Sequence, residues 1–108
     1  MTEKQYFVYI ITNATRTLYI GITNNLERRL WEHKTKAVEG FSKTYNMGWL
    51  VWYAATNDVR EAIATEKRLK GWTRAKKVAL IEAENPTWQD ISEGWYDNSN
   101  QASNNDRT

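Results

Sequence analysis

With 108 residues and 12.7 kDa, the chain has room for one compact domain, and 41% apolar residues with six Trp supply the burial area that a disordered chain lacks. It has no cysteine and a single histidine, His33, which excludes disulfides, thiolate catalysis, thiolate zinc sites and paired-imidazole metal centres. The net charge of +2 hides an asymmetry: residues 1–81 carry 14 basic and 7 acidic side chains, residues 82–108 only 1 basic and 6 acidic, so the front of the chain is the expected polyanion side.

No apolar run approaches the roughly 18 to 20 residues that span a bilayer, and MTEKQYFVYI lacks a signal-peptide cleavage pattern. A cytoplasmic protein without membrane contact is the expectation. Gln5 to Thr12 is rich in β-branched and aromatic residues, and both alternate sets (Tyr6, Val8, Ile10 and Phe7, Tyr9, Ile11) are apolar or aromatic, which predicts a strand covered on both faces. Turn chemistry at Asn13-Ala14-Thr15-Arg16 leads into a second strand over Thr17 to Ile22, closing a β-hairpin. Tyr9 faces Tyr19 directly if the numbers of paired residues sum to 28; a sum of 29 separates them.

Asn24, with Glu27 three positions on, is a capping-box candidate for a helix to about Lys36, with Leu26, Leu30, His33 and Ala37 as its apolar stripe. Trp49 to Thr56 reads as a third strand. Asp58 and Glu61 form a second capping box, opening a helix to Lys70 with Gly71 at its C′ position. Thr73 caps a last helix reaching about Glu84 and ended by Asn85-Pro86, after which Trp88 to Tyr96 pack back on the domain. Residues 1–96 are thus expected to form one domain and residues 97–108, almost devoid of apolar side chains, a disordered polar tail.

The main local anomaly is Glu66. At about 100° per residue it falls among Val59, Ala62, Ile63 and Lys70, near the middle of the stripe expected to face the core. An unpaired carboxylate there costs several kcal/mol, so a cation, a metal or a water-filled cleft is expected opposite it, a structural Glu–Arg pair being the plainer alternative. The same projection separates two adjacent arginines: Arg29 lies about 60° from Leu26 and about 40° from His33, whereas Arg28 points to nearly the opposite side. An inward guanidinium can pair with a phosphate and with the charge that develops during attack on it.

Tyr9 and Tyr19 are either core aromatics or, beside a cation that favours the phenolate, candidates for a general base. Gly21 fits equally a close approach of ligand and a packing or bulge position. Between residues 60 and 77, Arg60, Lys67, Arg68, Lys70, Arg74, Lys76 and Lys77 outnumber Glu61 and Glu66. Such a run is either a solvated helix face or, with Trp72 among the cations, a surface that tracks phosphates.

FVY at Phe7 to Tyr9, nine intervening residues, YIG at Tyr19 to Gly21 and then NNLERRLWEH together resemble the GIY-YIG nucleases. The segments GFSKTYN, LVWY, EKRLKGWTRAKK and NPTW are similar to small stand-alone bacterial members related to the nuclease domain of the excision-repair incision subunit. The resemblance implies an α+β fold, a three-stranded antiparallel sheet flanked by helices. It implies a site of Tyr9, Tyr19, Arg29 and Glu66, with Gly21, His33 and Tyr45 secondary, and Glu66 as ligand of Mg2+ or Mn2+. Phe7 stands where the motif has its first glycine, and Ile22 follows Gly21 where the repair nucleases carry a lysine.

The implied activity is hydrolysis of a nucleic-acid phosphodiester, with DNA the expected substrate. Lys43, Lys67, Lys70, Trp72, Arg74, Lys76 and Lys77 are the candidate nucleic-acid contacts, and a protein partner could supply targeting. Two other functions compete with an endonuclease. One is a nucleic-acid-binding protein on the same scaffold with weak or no turnover, and the other a protein-interaction module built on exposed aromatics such as Trp49, Trp88 or Trp95.

Overall fold

The computed structural model of the chain describes residues 4–37, 40 and 44–97. Lys43 and the tail beyond residue 97 lie outside the described residues. Three strands, Tyr6–Thr12 (β1), Tyr19–Thr23 (β2) and Trp49–Thr56 (β3), form one antiparallel sheet in the order β2-β1-β3. Leu26–Lys34 (α1) covers one face; Val59–Lys70 (α2) and Arg74–Glu84 (α3) cover the other.

The two-sided apolar pattern of β1 is explained by its central place. Val8 and Ile10 pack with Ile20, Val51, Trp52, Ala62, Leu69, Ile81 and Trp88 on the α2–α3 side. Tyr9 and Ile11 pack with Leu26, Leu30, Met47 and Leu50 on the α1 side. Strand β3 serves both cores because its pairing with β1 slips: Ile10 faces Trp52 but Ile11 faces Leu50, leaving Val51 as an extra residue. Such a bulge resets the alternation, which places Leu50 in one core and Val51 and Trp52 in the other.

The hairpin register differs from the expected one. Tyr9 stands opposite Gly21, and Tyr19 opposite Ile11. The cause lies in the turn, where the Asn13 carboxamide oxygen accepts from the Thr15 and Thr17 amides at 3.1 and 3.0 Å and Thr12 Oγ1 donates to the Thr17 carbonyl at 2.7 Å. These bonds hold Thr17 and Leu18 in the loop, and β2 begins only at Tyr19. A displacement of two residues preserves side-chain direction, so both tyrosines still face α1.

Helix caps follow local chemistry closely. Asp58 accepts from the amides of Arg60 and Glu61, and Thr73 from that of Lys76, as expected. Asn25, not Asn24, caps α1, because its backbone is extended and its side chain accepts from Arg28 N at 3.0 Å. Helix α1 ends two residues short of Lys36, which takes a left-handed φ of 61° while Ala37 N donates back to Glu32 O at 2.8 Å. Ala37 is therefore exposed outside the helix. Gly71 closes α2 with φ −85°, so the left-handed freedom of glycine is not used there.

In α2 the buried residues are Ala62 and Leu69, whereas Val59 and Ile63 are exposed. The inward direction is thus rotated from the expected stripe, and Glu66 sits about 40° to one side of Ala62. After α3 the chain returns along β3, with Ile91 N donating to Leu50 O at 2.7 Å and Leu50 N to Asp90 Oδ1 at 2.9 Å. Trp88 is buried in the α2–α3 core, and Trp95 and Tyr96 pack on the α1 side. Among the described residues no helix is long and apolar enough to cross a membrane.

Candidate active site

Six of the seven principal and secondary candidates gather around the hydroxyl of Tyr9. Strand β1 carries Tyr9 into the α1-side core, where it is 1% exposed. Gly21 faces it from β2, and its missing side chain makes room for the phenol: a Cβ there would lie 2.5 Å from Tyr9 Cζ and also overlap the hydroxyl. Gly21 is thus a packing glycine whose open side is filled by Tyr9, not a gap left for a ligand.

Helix α1 presents Arg29 and His33 one turn apart. The Tyr9 hydroxyl is 2.9 Å from His33 Nε2. The Tyr19 ring lies 6.5 Å from that of Tyr9 and 5.5 Å from that of His33. Arg29 lies beside the Tyr9 hydroxyl and donates to Glu32 Oε1 at 3.0 Å. Its side chain is 36% exposed against 64% for Arg28, so the inward choice made by helical projection matches the structure. Glu32 was missed in the sequence, although its i+3 and i+4 spacing from Arg29 and Arg28 is readable there.

Glu66 reaches the same region from α2. It raises the Tyr9 pKa through its charge, and its own partner is Lys70, whose Nζ is 3.1 Å from Oε2. The expected cation is therefore a lysine one turn along the same helix. Exposure of 18% for the Glu66 side chain explains why the carboxylate is tolerated on the shoulder of a buried face.

Burial pushes the Tyr9 hydroxyl up to about 12, outweighing the lowering by Arg29, with Tyr19 and Glu66 adding to the rise. The expectation that a neighbouring cation favours the phenolate is therefore corrected: desolvation wins, and Tyr9 is a phenol at neutral pH. Burial likewise lowers His33 to about 4, and Arg29 lowers it further, so its imidazole is neutral. Arg29 is held above its usual range: burial opposes its charge, but Tyr9 and Glu32 more than compensate.

The His33 shift has a consequence for stability. Unfolded, the imidazole takes up a proton near pH 6.5; folded, it does so only near 4. The unfolded state binds more protons between those values, so stability falls as pH drops from about 6.5 to about 4, by on the order of 3 kcal/mol. Urea midpoints across this range should show the decline, and His33→Gln should lack this component of it.

The remaining candidates are placed differently. Tyr45 is 48% exposed, and its carbonyl accepts from Asn13 Nδ2 at 2.6 Å in the β1–β2 turn. Trp72 is half-buried against the α2–α3 core, with Lys76 Nζ 5.0 Å over its ring. Lys70 and Lys77 line a 310 Å³ groove with Tyr19, while Lys67 and Arg74 are exposed.

Residues 5–79 match the GIY-YIG catalytic domain. The chain belongs to the GIY-YIG family. It is 32% identical over 82 residues to a UPF0213 protein of Bacillus pumilus, covering 76% of this chain and 84% of that one. With a UPF0213 protein of Pectobacterium carotovorum it shares 32% identity over 104 residues, covering 89% and 100% of the two chains. The solution NMR structure of a UPF0213 protein from Bacillus halodurans superimposes with a TM-score of 0.51 at 24% identity, covering 92% of this chain and 97% of that one. This likeness supports the shared α+β fold.

GIY-YIG domains are usually endonucleases and generally use a divalent metal. Among the described residues no three His, Asp or Glu side chains gather as a cage. A single carboxylate that keeps part of its surface open to water nevertheless suits magnesium, which keeps most of its waters and takes one or two carboxylates together with substrate phosphate. Glu66 fits that donor chemistry.

Proposed function

We propose that the chain is a metal-dependent endonuclease that hydrolyses a DNA phosphodiester. The observation that carries this reading is the meeting of Tyr9, Tyr19, Arg29, His33 and Glu66, drawn from β1, β2, α1 and α2, around one hydroxyl. A buried phenol needs a proton acceptor before it can act as a base. His33 Nε2, 2.9 Å from that hydroxyl, serves once a bound phosphate pairs with Arg29, the cation that otherwise lowers its basicity; Tyr9 then passes its proton to His33 as it takes one from the attacking water. The water oxygen bonds to phosphorus as the bond to the leaving oxygen breaks, and Arg29 pairs with the charge that accumulates on the phosphoryl oxygens.

Glu66 is the ligand for magnesium or manganese, which when bound supplies Lewis-acid stabilisation of phosphate charge. The groove of Lys70 and Lys77 beside Tyr19 supplies phosphate contacts, with targeting by a protein partner left to surfaces away from the site. The test is cleavage of plasmid or labelled DNA in magnesium and manganese. The reading requires cleavage that is lost in Arg29→Ala and Glu66→Ala; equal cutting by both variants would overturn it.

Lys70 adds a subsidiary prediction. Its ammonium occupies Glu66 and so competes with a divalent cation. Lys70→Met should tighten Mn2+ binding by about two- to fivefold, the modest size expected for an ion pair whose lysine is exposed, while weakening DNA binding. Titration of Mn2+ by water-proton relaxation measures the first effect without any cleavage.

A further inference from the structure

Trp49 opens edge strand β3 opposite Thr12, and its indole is 46% exposed. It stands on a ridge between two grooves. One, of 260 Å³, includes His33, Lys36 and Asn46; the other, of 200 Å³, includes Arg16 and Trp88. Four non-glycine residues among those described hold left-handed backbone: Arg16, Lys36, Asn46 and Trp88, with φ of 62, 61, 56 and 58°. All four line these two grooves.

That concentration is informative because left-handed backbone disfavours nearly every residue except glycine and asparagine. Lys36 follows the end of α1, where glycine is the usual choice, and Arg16 occupies a turn that glycine would fit with less strain. Both are exposed cations, one on each side of the indole. Strained backbone that retains such side chains is characteristic of ligand-contacting surfaces. Flat apolar ring, flanking cations and open grooves together match a nucleotide chain, with base on ring and phosphates to either side. In a duplex the base faces are already stacked on one another, so a lone indole on a ridge selects an unpaired base.

We propose that Trp49 is a stacking platform for an unpaired base of a DNA strand whose phosphates run between Lys36 and Arg16. His33 forms a wall of the first groove and bonds Tyr9, so a strand held there leads toward the candidate active site. The nature of the ligand rests on the nuclease reading; the stacking contact is measured independently of cleavage.

The experiment is fluorescence anisotropy of the full chain with labelled oligothymidylate, an abasic strand of equal length and a blunt duplex, in chelator at low salt. Trp49→Ala should weaken oligothymidylate binding by about tenfold or more, the range of one lost base–aromatic stack. The duplex and the abasic strand should be unaffected, and Trp49→Phe, which keeps a ring, should retain most of the affinity. Thermal melting checks the fold of each variant.

Unchanged oligothymidylate affinity in Trp49→Ala, or an equal loss on the abasic strand or duplex, would overturn the platform, as would failure of the parent chain to bind single strands. An equal effect on oligouridylate upholds base stacking, which both sugars permit; an effect on oligouridylate alone overturns the assignment to DNA. Trp49-dependent binding without metal-dependent cleavage would sink the nuclease and leave the platform standing. Cleavage without Trp49-dependent binding would do the reverse.

Discussion

Arg29→Ala is expected to lower metal-dependent cleavage by at least about a hundredfold, the scale seen when one preorganised donor to a developing oxyanion is removed. Arg28→Ala is the matched control. Both residues lie on α1, carry the same charge and approach Glu32, at 3.8 Å for Arg28 and 3.0 Å for Arg29. A simple loss of positive field would weaken both variants alike. Only Arg29 lies beside the Tyr9 hydroxyl, so only its loss removes a donor from the reacting region.

Glu66→Gln completes the comparison. It keeps the side-chain shape on α2 and removes the charge that draws a divalent cation, so cleavage should fall by a similar factor while DNA binding in chelator persists. Initial rates on a labelled oligonucleotide, with melting temperatures for each variant, separate these effects from folding. Comparable activity of Arg28→Ala and Arg29→Ala would remove Arg29 from the proposed chemistry.

Arg29 was legible in the sequence because a helix repeats on a fixed angle, so a short segment with Leu26, Leu30 and His33 as markers orients both arginines. The central place of β1 was legible for a similar local reason, its two apolar faces. What escaped depends on partners distant in sequence or on the chemistry of one turn. The Asn13 side chain sets where β2 begins, and no alternation within the strands records that choice.

Glu66 is anomalous in the sequence, yet the apolar stripe around it does not mark the inward face, because Val59 and Ile63 are apolar but exposed. The inward direction of α2 is set by Ala62 and Leu69 where they meet the sheet. Tyr9 shows a different limit. A cation nearby argued for phenolate, but the sign of the shift depends on how much water the fold removes, and burial is the larger effect. His33 consequently moves from secondary candidate to the proposed proton acceptor.

Gly21→Ala is expected to disturb both stability and activity, although it adds a single methyl group. The new Cβ would lie 2.5 Å from Tyr9 Cζ and still nearer the hydroxyl. Tyr9 has little room to retreat: its strand is paired on both sides, opposite Gly21 and Tyr53, and its ring is fully buried. Relief requires the ring to turn, which breaks the 2.9 Å contact with His33. Overpacking of this kind costs about 1–3 kcal/mol, or about 4–8 °C in Tm for each kcal/mol in a small domain.

The combination with Tyr9→Phe tests the geometry directly. Tyr9→Phe alone loses the bond to His33 and should cost about 1 kcal/mol, with cleavage abolished if the phenol is the base. In the double variant the clash with the hydroxyl is gone and only that with the ring remains, so its destabilisation should be smaller than the sum of the two single effects. Stability would be partly restored while cleavage stayed absent. A Gly21→Ala protein with the parent's Tm and rate would show that Tyr9 does not occupy the space over Gly21, and with it the contact between β2 and the candidate base would fall.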